Sequence, residues 1–135
     1  MRHRKGAEEK QHICEVLRER LLQWEQIRFA YLFGSFLLNG SFEDIDIAVY
    51  VHPDALRDHD PLLLSFDIAN DLERAVRLPV DVVLLNNASL GLQFEAARGE
   101  PLMVREWEEC ADFAEKVTLR WWDTEGLRYA CLLYT

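Results

Sequence analysis

The segment Asp44-Ile-Asp-Ile-Ala-Val-Tyr-Val51 alternates as a strand does, yet it carries two carboxylates at its head. Ile45, Ile47, Val49 and Val51 fall on one side and Asp46, Ala48 and Tyr50 on the other, with Asp44 in phase with Asp46. Two like charges held that close repel unless a cation lies between them. Oxygen-only ligands suit Mg²⁺, which takes one or two protein carboxylates and completes its shell with water and substrate phosphates. Upstream, the apolar run Ile27–Phe33 reads as a short, largely buried strand stopped by Gly34, a residue that permits the backbone angles of a sharp turn. Eight residues separate Ser35 from Asp44. A unit of strand, Gly34-Ser35 turn, short helix and strand presents Ser35 and its neighbouring amides towards the carboxylates as a phosphate-gripping turn.

The rest of the chain supplies a scaffold for this unit. The basic tip Arg2–Lys5 is read as a fraying end. Ile13, Val16, Leu17, Leu21 and Trp24 recur at three-and-four spacing and predict a helix over Ala7–Trp24. Phe36-Leu37-Leu38 suits one helical turn before the Asn39-Gly40 turn pair, and the second strand runs over about Glu43–Val51 to Pro53. After the loop His52–Pro61, the positions Leu63, Phe66, Ala69 (or Ile68), Leu72 and Val76 mark a second amphipathic helix, broken by Leu78-Pro79. Val80–Leu85 is a third strand of the continuous apolar kind found in a covered sheet. A helix over about Ser89–Ala97 closes at Gly99, and Pro101–Val104 adds a short edge strand. Residues from about 106 to 134 read as mainly helical, interrupted near Gly126, and hold Trp107, Trp121, Trp122, Tyr129 and Tyr134. The expected fold is α+β, a small mixed sheet of three to four strands flanked by helices, in a single domain over 1–135.

Half of the residues are apolar and 29% are charged, as in a folded globular chain rather than a disordered one. No apolar run reaches the roughly 18 residues a membrane span needs, and Met1–Lys5 leads into polar sequence, so a cytoplasmic location is expected. Cys14, Cys110 and Cys131 are odd in number and widely spaced, which suggests neither a disulfide framework nor a zinc site, and they are read as buried thiols. The net charge of −9 disfavours direct nucleic-acid binding. An anionic substrate must then be reached through metal ions, and the acidic surface suits a basic protein partner.

Asp81 heads the strand expected beside the Asp44–Asp46 strand. Alone it reads as a turn or cap residue; beside that pair it completes a set of three carboxylates. Two Mg²⁺ ions roughly 4 Å apart, held by three such groups, lower the pKa of an attacking hydroxyl and neutralise a leaving pyrophosphate. The protein then supplies position and charge.

Gly34-Ser35, Asp44-Ile-Asp46 and Asp81 together resemble the polymerase-β-type nucleotidyltransferase superfamily, and in particular the minimal nucleotidyltransferases (MNT). The segment Leu90–Val104, with Arg98-Gly99 after a helix, and Trp121-Trp122-Asp123 are similar to further family segments, so the resemblance runs over about residues 10–125. It implies a nucleotidyltransferase fold and an Mg-ATP-dependent antitoxin that places AMP on a tyrosine of a helical HEPN-type ribonuclease toxin. By position, Gly34 and Ser35 hold the triphosphate of ATP, Asp44 and Asp46 bind two Mg²⁺ ions, and Asp81 is the third ligand and helps deprotonate the acceptor. The chain departs from the pattern in two places. Many members have about ten residues where eight separate Ser35 from Asp44, and Asn39 stands where an Arg is common.

The remaining candidates have plain readings. His52 and His59 lack metal-ligand spacing and read as exposed loop residues. Ser35 has no G-x-S-x-G elbow around it, so phosphate binding is preferred to nucleophilic attack. Tyr50 shares the aspartates' face, where sheet packing is preferred to stacking on a base. The aromatic C-terminal helix is either core or a surface for a hetero-complex or homo-oligomer. Two classes of function stay open: an enzyme that transfers a nucleotide to a partner protein or, less readily, to a small molecule of aminoglycoside type, and a binding antitoxin that neutralises its partner by covering it.

Overall fold

A computed structural model describes residues 3–37 and 41–123. Along the chain come β1 (His3–Arg4), α1 (Ala7–Leu22), β2 (Ile27–Phe33), a 3₁₀ turn (Gly34–Leu37), β3 (Ser41–Phe42), β4 (Ile45–Val51) and the short α2 (Ala55–Asp58). They are followed by α3 (Pro61–Val76), β5 (Val80–Leu84), a second 3₁₀ turn (Leu85–Asn87), α4 (Leu90–Ala97), β6 (Glu100–Val104) and α5 (Trp107–Trp121). The main sheet has the order β5-β4-β2-β6. β2 is antiparallel to β4 and β6, whereas β4 and β5 are parallel, joined by the α3 crossover. β1 and β3 form a separate two-stranded ribbon. The mixed sheet expected from the sequence is therefore present, with four strands.

Strand alternation decides which residues reach which layer. Ile45, Ile47, Val49 and Val51 of β4 join Leu17 and Leu21 of α1 and Leu64, Ile68 and Leu72 of α3 in one buried cluster. Ala48, with Tyr50 at its margin, points the other way, into a smaller cluster with Phe29, Tyr31, Phe33, Ala96 and Cys110, which α4 and α5 cover. Both faces of the sheet are thus covered, and each fully buried Leu or Ile contributes about 1.5–3 kcal/mol.

Several boundaries and one face differ from the sequence expectation. α1 ends at Leu22, and the Trp24 indole instead donates to Asp71 Oδ2 at 2.9 Å, beside an Arg20–Asp71 ion pair. β4 begins at Ile45, so Asp44 lies in the bend before it. Leu85 falls in a 3₁₀ turn. α3 starts at Pro61, with Asp60 capping it by accepting from the Leu62 amide at 2.9 Å. Its buried stripe is Leu64, Ile68 and Leu72, while Leu63 and Phe66 are 61% and 54% exposed. Both sets keep helical spacing; the packing against α1 and β5 selects one of them. Pro101–Val104 is an edge strand as expected, extended by Glu100, and an edge tolerates the proline's missing N–H. Cys110 is buried, as expected of a buried thiol, whereas Cys14 is only half-buried. The expected turn at Asn39-Gly40, Cys131, and the helical segment and tyrosines after residue 123 lie outside the described residues.

The end of α1 is held by a residue far away in sequence. Arg105 Nε donates to the Ile27 carbonyl at 2.6 Å, and its Nη2 to the carbonyls of Leu22 and Trp24 at 3.1 and 2.9 Å. Charged donors to backbone acceptors are worth about 1.5–3 kcal/mol each when isolated, and less when they share one guanidinium. Arg105→Ala is expected to lower stability by roughly 2–3 kcal/mol in urea unfolding; a change under about 0.5 kcal/mol, the size of an ordinary surface substitution, would show that the α1–β2 corner holds without it.

Candidate active site

The site is built where β2 ends and β4 begins. Phe33, the last residue of β2, pairs with Asp46 in the antiparallel ladder. Gly34 then turns the chain with φ +80°, a left-handed conformation that side chains disfavour. A Cβ placed there would run into Asp46 Oδ2 and lie 3.1 Å from its Cγ, so the backbone of the turn rests directly on that carboxylate. Ser35 follows, partly exposed, and Phe36 is buried edge-to-face on Phe42 with centroids 4.9 Å apart. Lys10 of α1 donates to the Phe36 carbonyl at 2.9 Å, tying the turn to the helix.

Asp81 arrives from the neighbouring strand. Asp46 and Asp81 are direct partners in the parallel β4–β5 ladder, one strand spacing (about 4.8 Å) apart, and so share a face. That face is the α4–α5 side. Asp44 precedes the strand and is exposed. The structure thus brings Asp46, Asp81 and Gly34 together and leaves Asp44 and Ser35 at the rim. Among the described residues no three acidic, His or Cys side chains already form a cage for a metal ion.

The electrostatics mark Asp46 as the centre. Its pKa is pushed up from 3.8 to about 6, first by burial and then by the negative charges of Asp81, Asp44 and Glu95. Three carboxylates therefore act on a fourth, and a cation there would relieve both the repulsion and the loss of hydration. The donor set fits Mg²⁺ of the kind that takes one or two protein carboxylates and leaves its remaining positions to water and phosphate oxygens. Glu95 carries no signal in the sequence, because a single Glu on a helix resembles any solvated residue.

Beside the turn lies a cleft of about 420 Å³, lined by Phe33, Gly34, Leu37, Phe94, Arg98 and Trp121 among others. The rings of Phe94 and Trp121 stack at 4.6 Å and 7°, and the Arg98 guanidinium lies 5.5 Å from the Phe94 centroid. Arg98-Gly99 and Trp121-Trp122-Asp123 stand out in the sequence but received no role in the site. A larger cavity of about 1020 Å³, between α1 and α3 on the opposite face, is lined by Glu19, Asp67, Asp71 and Glu73 together with Arg20 and Arg74. It is remote from the turn, and its acidic walls repel phosphates.

The other sequence candidates fall away from the chemistry. Tyr50 shares the aspartates' face but is stacked on Phe29 at 4.9 Å and 5°, with Phe113 at 5.7 Å, which is sheet packing. His52 is exposed; its Nδ1 accepts from the Asp54 amide at 3.1 Å. His59, also exposed, is the C-cap of the short α2.

Comparison with known proteins fixes the family. The model of the polymerase beta nucleotidyltransferase family matches residues 15–108, which span β2, the Gly34 turn, β4 and β5. The chain belongs to that family. No curated protein sequence matches it significantly. Among solved structures it is similar to a tri-AMPylated Shewanella oneidensis HEPN toxin in complex with MNT antitoxin, at 25% identity and TM-score 0.63 over 92% of each chain. It is also similar to a toxin–antitoxin solved with AMP-PNP, at 25% identity and TM-score 0.66 over 91% of this chain and 94% of that one. The toxin–antitoxin MntA–HepT matches at 23% identity and TM-score 0.63, over 94% of this chain and 96% of that one. As a polymerase-β-type nucleotidyltransferase, the chain keeps that fold along nearly its whole length. No helix among its described residues is long and apolar enough to cross a membrane.

Proposed function

We propose that this nucleotidyltransferase-family protein is the antitoxin of a HEPN–MNT pair and silences its partner by transferring AMP from ATP to a tyrosine hydroxyl. The pairing of Asp46 with Asp81 across adjacent strands, directly under the Gly34 turn, carries the reading. It is supported by the similarity to a tri-AMPylated toxin in complex with an MNT antitoxin and to a toxin–antitoxin solved with AMP-PNP.

In this reading Asp46 and Asp44 would hold Mg²⁺ and Asp81 would add a third oxygen ligand. A divalent cation there supplies neutralising charge for the triphosphate and lowers the pKa of the acceptor hydroxyl. The Gly34–Ser35 turn orients the triphosphate through backbone amides and the Ser35 hydroxyl, because its close packing on Asp46 sets phosphate and carboxylate side by side. The tyrosine oxygen attacks the α-phosphorus, the bond to the bridging oxygen of the β-phosphate breaks, and pyrophosphate leaves with that oxygen. The phenol proton passes to Asp81, which is exposed and so open to an acceptor hydroxyl. Most of the acceleration comes from holding these groups in line.

The test is transfer of label. Incubated with α-labelled ATP, Mg²⁺ and its HEPN partner, the protein is expected to label a partner tyrosine, and Asp81→Asn to cut the rate by about 10²–10⁴-fold, the range for loss of a positioned proton acceptor. Full silencing of the partner by Asp44→Asn and Asp81→Asn without any label would replace the enzyme with an antitoxin that acts by covering its partner.

A further inference from the structure

We infer that the groove between α1 and α3, together with the apolar lip at the start of α3, docks a basic amphipathic helix of a partner protein. The inference goes beyond the nucleotidyltransferase reading and concerns a different layer. Helices α1 and α3 pack on the sheet face formed by Ile45, Ile47 and Val49, whereas Asp46 and Asp81 lie on the other. Helix α3 is apolar on two sides. Leu64, Ile68 and Leu72 are buried, yet Leu62 and Leu63 are each 61% exposed and Phe66 is 54% exposed. Single apolar residues on a surface need no explanation, but three large ones within two turns of one helix form a patch, where an amphipathic helix ordinarily shows polar groups to water. Asp67 follows Phe66 directly, stands four residues after Leu63 and lines the groove, so the patch runs into the groove along one helix.

The charges of the groove select its occupant. About 1020 Å³ in volume, it is walled by Glu19, Asp67, Asp71 and Glu73, against Arg20 and Arg74. Asp71 engages Arg20 at 2.9 Å and accepts from the Trp24 indole at 2.9 Å, which holds that ring on the wall by its polar edge. At the other end of the patch the exposed Asp58 and Asp60 precede α3, and Arg57 beside them is paired with Asp54 at 3.5 Å. An apolar centre bordered by carboxylates fits a partner whose apolar side chains enter the patch while its Lys or Arg side chains meet the rim. A second copy of this chain would set the same carboxylates against one another, and nucleic acid or an anionic membrane would be repelled by them. From Leu62 to Ala75, α3 offers about 20 Å of helix. A partner helix of about 14 residues matches that length when it lies between α1 and α3 with apolar residues at three-and-four spacing.

The probe is a synthetic peptide of about 14 residues, with leucines at three-and-four spacing on one side and lysines on the other. Its control has the same composition in an order that scatters the leucines. Titrated into the full chain and followed by heat of binding, the amphipathic peptide is expected to bind, and the scrambled one at least about ten-fold more weakly. Phe66→Ala should weaken binding at least about ten-fold, as for an aromatic anchor, and Asp67→Lys should weaken it and flatten its salt dependence. Both side chains are exposed, so both variants should keep the wild-type urea midpoint. Trp107→Ala, which removes an exposed ring from α5, should bind as the wild type does. Weakening by Asp67→Lys with no effect of Phe66→Ala, or equal binding of the scrambled peptide, would reduce the face to a charged surface and overturn the inference. A wild-type dimer that Phe66→Asp splits in sedimentation would overturn it as well, because the patch would then belong to a second copy.

Discussion

Asp46→Asn is expected to make the protein more stable and inactive. On the proposed function, activity should fall by at least about 10³-fold, because the substitution would remove a ligand for Mg²⁺ and uncouple the turn from the proposed phosphate site. Stability moves the other way. In the folded chain Asp46 titrates near 6 instead of 3.8, chiefly through burial and then through Asp81, Asp44 and Glu95. The folded state therefore holds its proton more tightly than the unfolded state, and stability falls as pH rises through about 4 to 6. The gap corresponds to at most about 3 kcal/mol, and screening of a partly exposed carboxylate reduces it to about 1–2 kcal/mol. Asp46→Asn should recover that amount at pH 8 without metal, raising Tm by roughly 3–6 °C, and should show no gain below about pH 4. Added Mg²⁺ should stabilise the wild type at pH 8 and leave the variant unchanged. Thermal melts at pH 4 and 8, with and without Mg²⁺, decide the matter: equal wild-type and variant melting at pH 8 would show that the carboxylates are not repelling one another.

The second large effect is expected at Gly34. Its φ of +80° alone disfavours alanine by about 1–2 kcal/mol, and the new methyl must also displace the Asp46 carboxylate. Gly34→Ala should lower stability by roughly 2–4 kcal/mol in total and reduce transfer by more than about 10²-fold, because a displacement near 1 Å at the reacting groups is enough for that. The two causes separate in a double-mutant cycle. With Asp46→Ala the clash with the carboxylate is relieved, leaving the backbone strain and a tight contact with the residue-46 Cβ at 3.3 Å, so the pair should couple by about 1–3 kcal/mol. Strict additivity would mean that the turn does not lean on Asp46.

These predictions divide along the line between what could be read residue by residue and what could not. The alternation of Ile45, Ile47, Val49 and Val51 predicted β4 and its face, and the apolar runs predicted β2 and β5, because strand and helix periods are local properties of the chain. Asp44-x-Asp46 and Gly34-Ser35 carried the chemical signal, and the resemblance led to the family that the comparison then established. The boundaries were less legible. Asp44 proved to lie in the bend before β4, since a strand ends where ladder partners end and not where alternation does.

Helix α3 shows most plainly what local pattern leaves open. Leu63 and Phe66 keep the same three-and-four spacing as Leu64, Ile68 and Leu72, so periodicity predicts a helix without choosing its buried face. The α3–β5 and α1–α3 contacts choose Leu64, Ile68 and Leu72. The cleft is a similar case: Phe94 and Trp121 lie 27 residues apart in the sequence, and only the docking of α5 on α4 stacks them. Glu95 joins the electrostatics of Asp46 from a helix whose sequence offers no hint of it. By itself the sequence determined the main helices and strands and the candidate reactive groups, but not the β1–β3 ribbon or α2, because the former depend on near neighbours. The pairing of Asp46 with Asp81, the seat of Gly34 on the carboxylate and the aromatic wall beside it were decided by tertiary structure, because each depends on the distance between segments that the chain keeps far apart.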